Sequence, residues 1–263
     1  MNGPVKLGNV TINTKVDGKE GAPWLVLSNS LGATFDMWNP QIPFLTKKYR
    51  VLRYDTRGHG GSDTPAGPYS FADLTADVIG LMDRFDIKKT SFMGLSMGGG
   101  IGIGLALEHP ERIERIICAD GRCVMSEPAQ AAWDERIARV EKGGLETIVE
   151  SSLAAWLTPE WHSAHPDQLL DVAKMILSND PKGYIACCHA IKNIDYYRHL
   201  GDIKVPVLYV GGDQDMGAPP EVMQDMADVT PGASFNLVEG GAHVANLNVP
   251  EAFNAATKEF LGI

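Results

Sequence analysis

The chain has 263 residues, enough for one large hydrophobic core or for a core domain carrying an insertion. Lys+Arg 23 against Asp+Glu 33 gives a formal net charge of −10, which argues against a surface built to track nucleic-acid phosphates. No apolar run reaches the ~20 residues of a membrane helix, and Met1-Asn2-Gly3-Pro4 lacks the basic-then-apolar order of a secretion signal, so a cytoplasmic protein without a membrane partner is expected.

Val5–Leu7 and Val10–Val16 read as a short antiparallel strand pair. Trp24–Leu27 and Arg50–Tyr54 follow, the first a continuous apolar run of the kind found in strands covered on both faces. Leu74, Val78, Leu81, Met82 and Phe85 recur at helical spacing. Thr90–Leu95 is the next strand, Ile101–Leu107 a helix and Arg115–Ala119 a strand. Gly99, Gly100, Gly102 and Gly104 would let that helix lie close to the sheet, since close packing must offset their poor helix propensity.

The pattern changes near Gly121. From Ser126 to Leu200 only helical signals occur, at Ala129–Lys142, Leu145–Leu157, Gln168–Ser178 and Pro181–Asn193. Strands return at Val205–Val210 and Ser234–Val238, and Pro250–Phe260 closes the chain as a helix. Alternating strands and helices imply an α/β fold, a mostly parallel eight-stranded sheet with helices on both faces. The helical block reads as an inserted lid, residues 123–200, between core segments 1–122 and 201–263.

Chemistry concentrates where strands end. Gly94-Leu95-Ser96-Met97-Gly98 lies between a strand and a helix, and side chains at 94 and 98 would crowd a sharp turn there. Ser96 would stand exposed at the sheet end with a helix N-terminus behind it. A serine hydroxyl is a weak nucleophile and needs a base held by an acid. His243, in the loop after the last strand, is the candidate base. Asp215, after the strand Val205–Val210, is the candidate acid, with Asp213 its neighbouring rival. An oxyanion would take the N–H of Met97, directly after the serine, and that of Leu31, in the loop Ser28-Asn29-Ser30-Leu31-Gly32.

Other polar features have plainer readings. His162 and His165 form an H-x-x-H pair with no third metal ligand suggested nearby, and His59 is read as fixing a turn. Gly98-Gly99-Gly100 is followed by no Lys-Ser/Thr and is not a phosphate loop, so neither a metal nor a nucleotide cofactor is implied. Cys118, Cys123, Cys187 and Cys188 make no C-x-x-C pair and read as reduced, buried thiols.

The chain resembles the α/β-hydrolase superfamily over nearly its whole length. The resemblance rests on the G-x-S-x-G turn, Tyr54-Asp55-Thr56-Arg57-Gly58-His59-Gly60-Gly61-Ser62, Gly212-x-x-Asp215-x-x-x-Pro219 and Gly241-Ala242-His243, with Ser, Asp and His in that family's chain order. Within it, Leu27-Ser28-Asn29-Ser30-Leu31-Gly32, Met37-Trp38 and Gly94-Leu95-Ser96-Met97-Gly98-Gly99 are similar to 3-oxoadipate enol-lactonases. That resemblance implies a serine hydrolase acting on a small lactone that bears a carboxylate. Arg122 is then the first cation expected in the pocket, with Lys192 and Arg136 behind it, and Trp133 and Trp156 as walls. A carboxylesterase or another lactonase stands as the alternative, with a C–C bond hydrolase or a ligand receptor on the same fold further off.

Overall fold

The computed structural model describes residues 2–263. Eight strands form one sheet: β1 (Gly3–Leu7), β2 (Val10–Asp17), β3 (Trp24–Ser28), β4 (Arg50–Tyr54), β5 (Thr90–Leu95), β6 (Ile113–Ala119), β7 (Val207–Gly212) and β8 (Ser234–Val238). Their spatial order is β1-β2-β4-β3-β5-β6-β7-β8. Strand β2 pairs antiparallel with β1 and β4, and every other pairing is parallel. Every residue of β5 and β7 is buried, as a parallel sheet covered on both faces requires.

The sequence places the strands to within one or two residues. β7 starts at Val207 because Pro206 has no N–H to give the ladder, although its carbonyl accepts from Ile116 N–H at 2.9 Å. The helix expected from Leu74 begins earlier, at Phe71. Ser70 and Asp73 form a reciprocal cap there, with Ser70 N–H donating to the Asp73 carboxylate at 2.8 Å.

The helix Met97–Glu108 packs on β5 and β6 through its glycines. A Cβ on Gly102 would lie 3.1 Å from both Ile116 and Phe92, so a side chain there would push those neighbours aside and the glycine lets the helix lie closer to the sheet.

Between β6 and β7 the named elements are helices: Glu127–Gly143, Val149–Trp156, Pro159–Ala164, Pro166–Leu177 and Pro181–Lys192, with 3-10 turns at Leu145–Ile148 and Tyr197–Asp202. The single helix expected at Leu145–Leu157 is thus broken after Ile148. The helix Pro159–Ala164 escapes an apolar-periodicity reading because it is little more than one turn long. Its signal was the cap, Thr158 accepting from Trp161 N–H with proline in the first turn. Among the described residues no helix is long and apolar enough to cross a membrane.

Six parallel strands, β3 to β8, end on one edge, and the loops after five of them carry the residues of interest. The loop after β3 carries Leu31, that after β5 Ser96, that after β6 Asp120, that after β7 Asp215 and that after β8 His243.

Candidate active site

Ser96 has φ 57 and ψ −114, a left-handed backbone rare for a residue with a side chain. Its neighbours explain how the turn is tolerated. A Cβ on Gly94 would collide with the Gly98 carbonyl, and one on Gly98 with the Ser28 carbonyl. Two glycines therefore let strand β5, the turn and the tip of β3 close upon one another. Asn29 locks that approach: its carbonyl accepts from Gly98 N–H at 3.1 Å. Its side chain is fixed by Trp38 Nε1–H at 3.1 Å and by donation to the Tyr54 carbonyl at 2.8 Å.

The structure brings Ser96, His243 and Asp215 together. His243 Nδ1 lies 2.9 Å from Asp215 Oδ2, and His243 Nε2 lies 2.9 Å from Ser96 Oγ. A carboxylate only accepts, so Nδ1 carries the proton and Nε2 is free to accept from the serine hydroxyl. The other oxygen of Asp215 accepts from Gly217 N–H at 2.6 Å. The rival Asp213 is solvent-exposed and takes no part.

The electrostatics follow from this geometry. Burial alone would raise the Asp215 pKa, but the His243 charge and hydrogen bond, with the Ala218 and Gly217 N–H groups, bring it below the ordinary range. Burial would lower the His243 pKa, and the Asp215 carboxylate outweighs it and raises it. The imidazolium is thus favoured where a proton leaving Ser96 would arrive.

Backbone donors are sorted by elimination. Ser96 N–H donates to Ala119 O at 2.8 Å and Gly98 N–H to Asn29 O. In the facing loop, Ser30 N–H lies 3.4 Å from Met37 Sδ, Gly32 N–H donates to His59 Nε2 at 2.9 Å, and Ala33 N–H to Ser30 O at 3.1 Å. Neither the Leu31 nor the Met97 N–H has a protein acceptor among the described residues, and both of these residues line the cavity above Ser96.

That cavity measures about 340 Å³ and is walled by Ser96, His243, Trp133, Trp156, Arg122 and Arg136, among others. The expected order of cations changes. Lys192 lies outside it and is spent on Asp134, at 2.6 Å and 2.7 Å. Arg122 stands at the rim and gives its Nε–H to the Gly217 carbonyl. Arg136 is half-buried in the wall and held by neutral groups, Tyr184 Oη at 2.7 Å and Ser152 Oγ at 2.6 Å. Among the described residues no carboxylate lies within ion-pair distance of Arg136. Sequence could not rank these cations, because the ranking depends on which one Asp134 neutralises. His162 and His165 are half-buried and turn their ring nitrogens to the carbonyls of Leu153 and Trp161.

Sequence reasoning missed Asp120. It is buried beside the triad; Oδ1 accepts from Gly212 N–H at 2.8 Å, and Oδ2 has no partner. Burial first and the Asp215 charge second push its pKa far up, so it holds its proton in the fold at pH values where an unfolded aspartate has lost it.

The chain belongs to the α/β-hydrolase family: a model of that fold matches residues 23–250. It is 35% identical over 250 residues to 3-oxoadipate enol-lactonase 2 of Acinetobacter baylyi, covering 95% of this chain and 92% of that one. The crystal structure of the enol-lactonase from Burkholderia xenovorans LB400 superposes with a TM-score of 0.95 at 35% identity, covering 99% of this chain and 100% of that one. A putative carbamate hydrolase of Caulobacter segnis is 30% identical over 245 residues, 92% of each chain. This chain is therefore a hydrolase of that family, with enol-lactonases among its relatives.

Asp120 yields a pH test of stability. Its folded pKa lies above the ordinary 3.8, so its contribution is complete below about pH 3.8 and is lost as pH rises through the folded value. Asp120→Asn keeps the neutral shape and cannot titrate. Urea midpoints of the variant should gain on wild type as pH rises above about 3.8, until the folded value is passed; parallel profiles would show that Asp120 is not protonated in the fold.

Proposed function

We propose that the protein opens the ring of a small lactone bearing a free carboxylate, 3-oxoadipate enol-lactone being the substrate that fits best, through an acyl group carried on Ser96. The observation that carries the reading is the hydrogen-bonded path from Asp215 through His243 to Ser96 on the floor of the cavity. The residues from about 123 to 200 are read as the lid over it.

Ser96 Oγ attacks the lactone carbonyl and its proton passes to His243 Nε2. Asp215 keeps the imidazole in the required tautomer and stabilises the cation. The oxygen of the tetrahedral intermediate takes the N–H groups of Leu31 and Met97, each donor worth on the order of 3 kcal/mol of barrier. Collapse breaks the acyl–oxygen bond of the ring. The departing oxygen is an enolate, a better leaving group than an alkoxide; it takes the proton back from His243 and tautomerises to the ketone. Water then gives a proton to His243 and attacks the acyl-Ser96 ester, releasing the carboxylic acid and restoring the serine.

Arg136 supports a charged substrate. A guanidinium in a cavity wall, oriented by a tyrosine and a serine and without a carboxylate of its own, is suited to receive one from outside. Trp133 and Trp156 supply apolar wall around a small ring.

The test is a panel on the purified enzyme. The specificity constant for 3-oxoadipate enol-lactone should exceed that for p-nitrophenyl acetate by about a hundredfold or more. Comparable values would point instead to a general carboxylesterase. Ser96→Ala should lower kcat on the order of 10⁵-fold or more while leaving the fold intact, and near wild-type turnover would exclude Ser96 as the nucleophile. Arg136→Met should raise KM for the carboxylate-bearing lactone about ten- to a hundredfold and barely change KM for the uncharged ester. An equal rise for both substrates would mean that Arg136 only shapes the wall.

A further inference from the structure

His59 is 1% exposed and stands outside the Ser96–His243–Asp215 path. Its ring bridges two backbone groups. Nε2 lies 2.9 Å from Gly32 N, and Nδ1 lies 3.3 Å from the Arg57 carbonyl. An N–H can only donate and a carbonyl can only accept, so the pair of contacts selects one form, neutral with the proton on Nδ1. Burial acts in the same direction and takes its pKa down to about 4.

The Gly32 peptides are tied on both sides. His59 holds the N–H, and Asn179 Nδ2 from the helical segment donates to the Gly32 carbonyl at 2.7 Å. Asn179 Oδ1 in turn accepts from Gly60 N–H at 3.0 Å, closing a ring of contacts around residues 32, 59, 60 and 179. Gly32 has φ +82, so without these ties the Leu31–Gly32 peptide could rotate at little steric cost. Leu31, whose own N–H is left facing the cavity, would move with it.

We propose that His59 is a positioning residue of the oxyanion hole: by accepting the Gly32 N–H it holds the adjoining Leu31 N–H toward the oxygen of an acyl group on Ser96. The proposal rests on the reading of Ser96 as nucleophile and is independent of which ester or lactone is cleaved. This role is added to the turn-fixing one read from sequence: His59 N–H donates to Thr56 O at 2.9 Å and His59 O accepts from Ser62 N–H at 3.0 Å. Its reach across 27 residues to Gly32 leaves no local mark in the sequence.

The probe is a p-nitrophenyl alkylphosphonate. The Ser96 oxygen forms a bond to phosphorus as its proton passes to His243, the bond to the aryl oxygen breaks, and p-nitrophenolate is released; mass spectrometry locates the adduct. His59→Phe keeps the ring and removes the acceptor, whereas His59→Gln restores an acceptor near the Nε2 position. The His59→Phe enzyme should be phosphonylated about tenfold more slowly or worse, and His59→Gln should come within about threefold of wild type; the His59→Gln unfolding midpoint should stay close to that of wild type and the His59→Phe midpoint fall below it, both enzymes remaining folded at the assay temperature. A His59→Phe rate equal to wild type, or a His59→Gln enzyme as slow as His59→Phe, overturns the proposal. Nitrogen-15 NMR of the wild-type histidines tests it without any variant folding: at pH 7 His59 should be protonated on Nδ1 alone, and a proton on Nε2 overturns it. A wild-type enzyme that is phosphonylated on Ser96 yet does not open the lactone would remove the lactonase reading and leave the role of His59 standing.

Discussion

The whole site depends on how closely the chain passes itself at residues 94–98. A strand must end, turn and begin a helix within two peptides of Ser96, while the tip of the neighbouring strand lies against Gly98. No side chain fits at either flanking position, and the serine pays with a left-handed backbone. In return its hydroxyl stands clear of the sheet, beside the N-terminus of the helix Met97–Glu108, where developing negative charge is favoured. Every other feature of the site is built to meet that one atom. Strand register brings the loops bearing Asp215 and His243 to the same edge, and the Asn29 carbonyl fastens the loop after β3 to the start of the helix Met97–Glu108.

The helical segment is bonded to both halves of this machinery. The N–H groups of His243 and Val244 donate to the carbonyls of Ala155 and Trp156 at the end of one helix, at 3.4 Å and 3.1 Å. Asn179, between two other helices, holds Gly32. The same segment supplies Arg136 and Trp133 to the cavity wall. In the proposed reaction the residues that choose the substrate and those that keep the catalytic loops in place therefore belong to one helical segment. A change in substrate preference made by altering this segment would then also move kcat, because Asn179 and the carbonyls of Ala155 and Trp156 cannot shift without the loops they hold.

What was legible in the sequence is what local physics dictates. Short apolar runs such as Trp24–Leu27, too brief for a core helix, read as covered strands, and a serine between two glycines after such a run fits a crowded turn. Proline and capping signals were legible in principle, as at Ser70 and Thr158, yet an apolar-periodicity reading passes over them. The break after Ile148 left no signal, since Leu145–Leu157 has helical spacing throughout. Three features of the site lie beyond one-dimensional reading for a shared reason. The rank of Arg136 over Lys192, the proton on Asp120 and the acceptor role of His59 each depend on groups distant in the chain: Asp134 for the first, burial and then the Asp215 charge for the second, and Gly32 for the third.

The central claim is that Asp215 sets the charge and tautomer of the imidazole that deprotonates Ser96. Its most direct test is the pH dependence of kcat/KM in the wild type and in Asp215→Asn. His243 must be neutral to act as a base, and the carboxylate raises its pKa, so wild-type activity should climb with pH through a value above the ordinary 6.5. With asparagine in place, kcat/KM should fall about 10³- to 10⁴-fold and the remaining activity should climb at a lower pH. An Asp215→Asn enzyme with an unmoved acid limb and near wild-type activity would contradict the account.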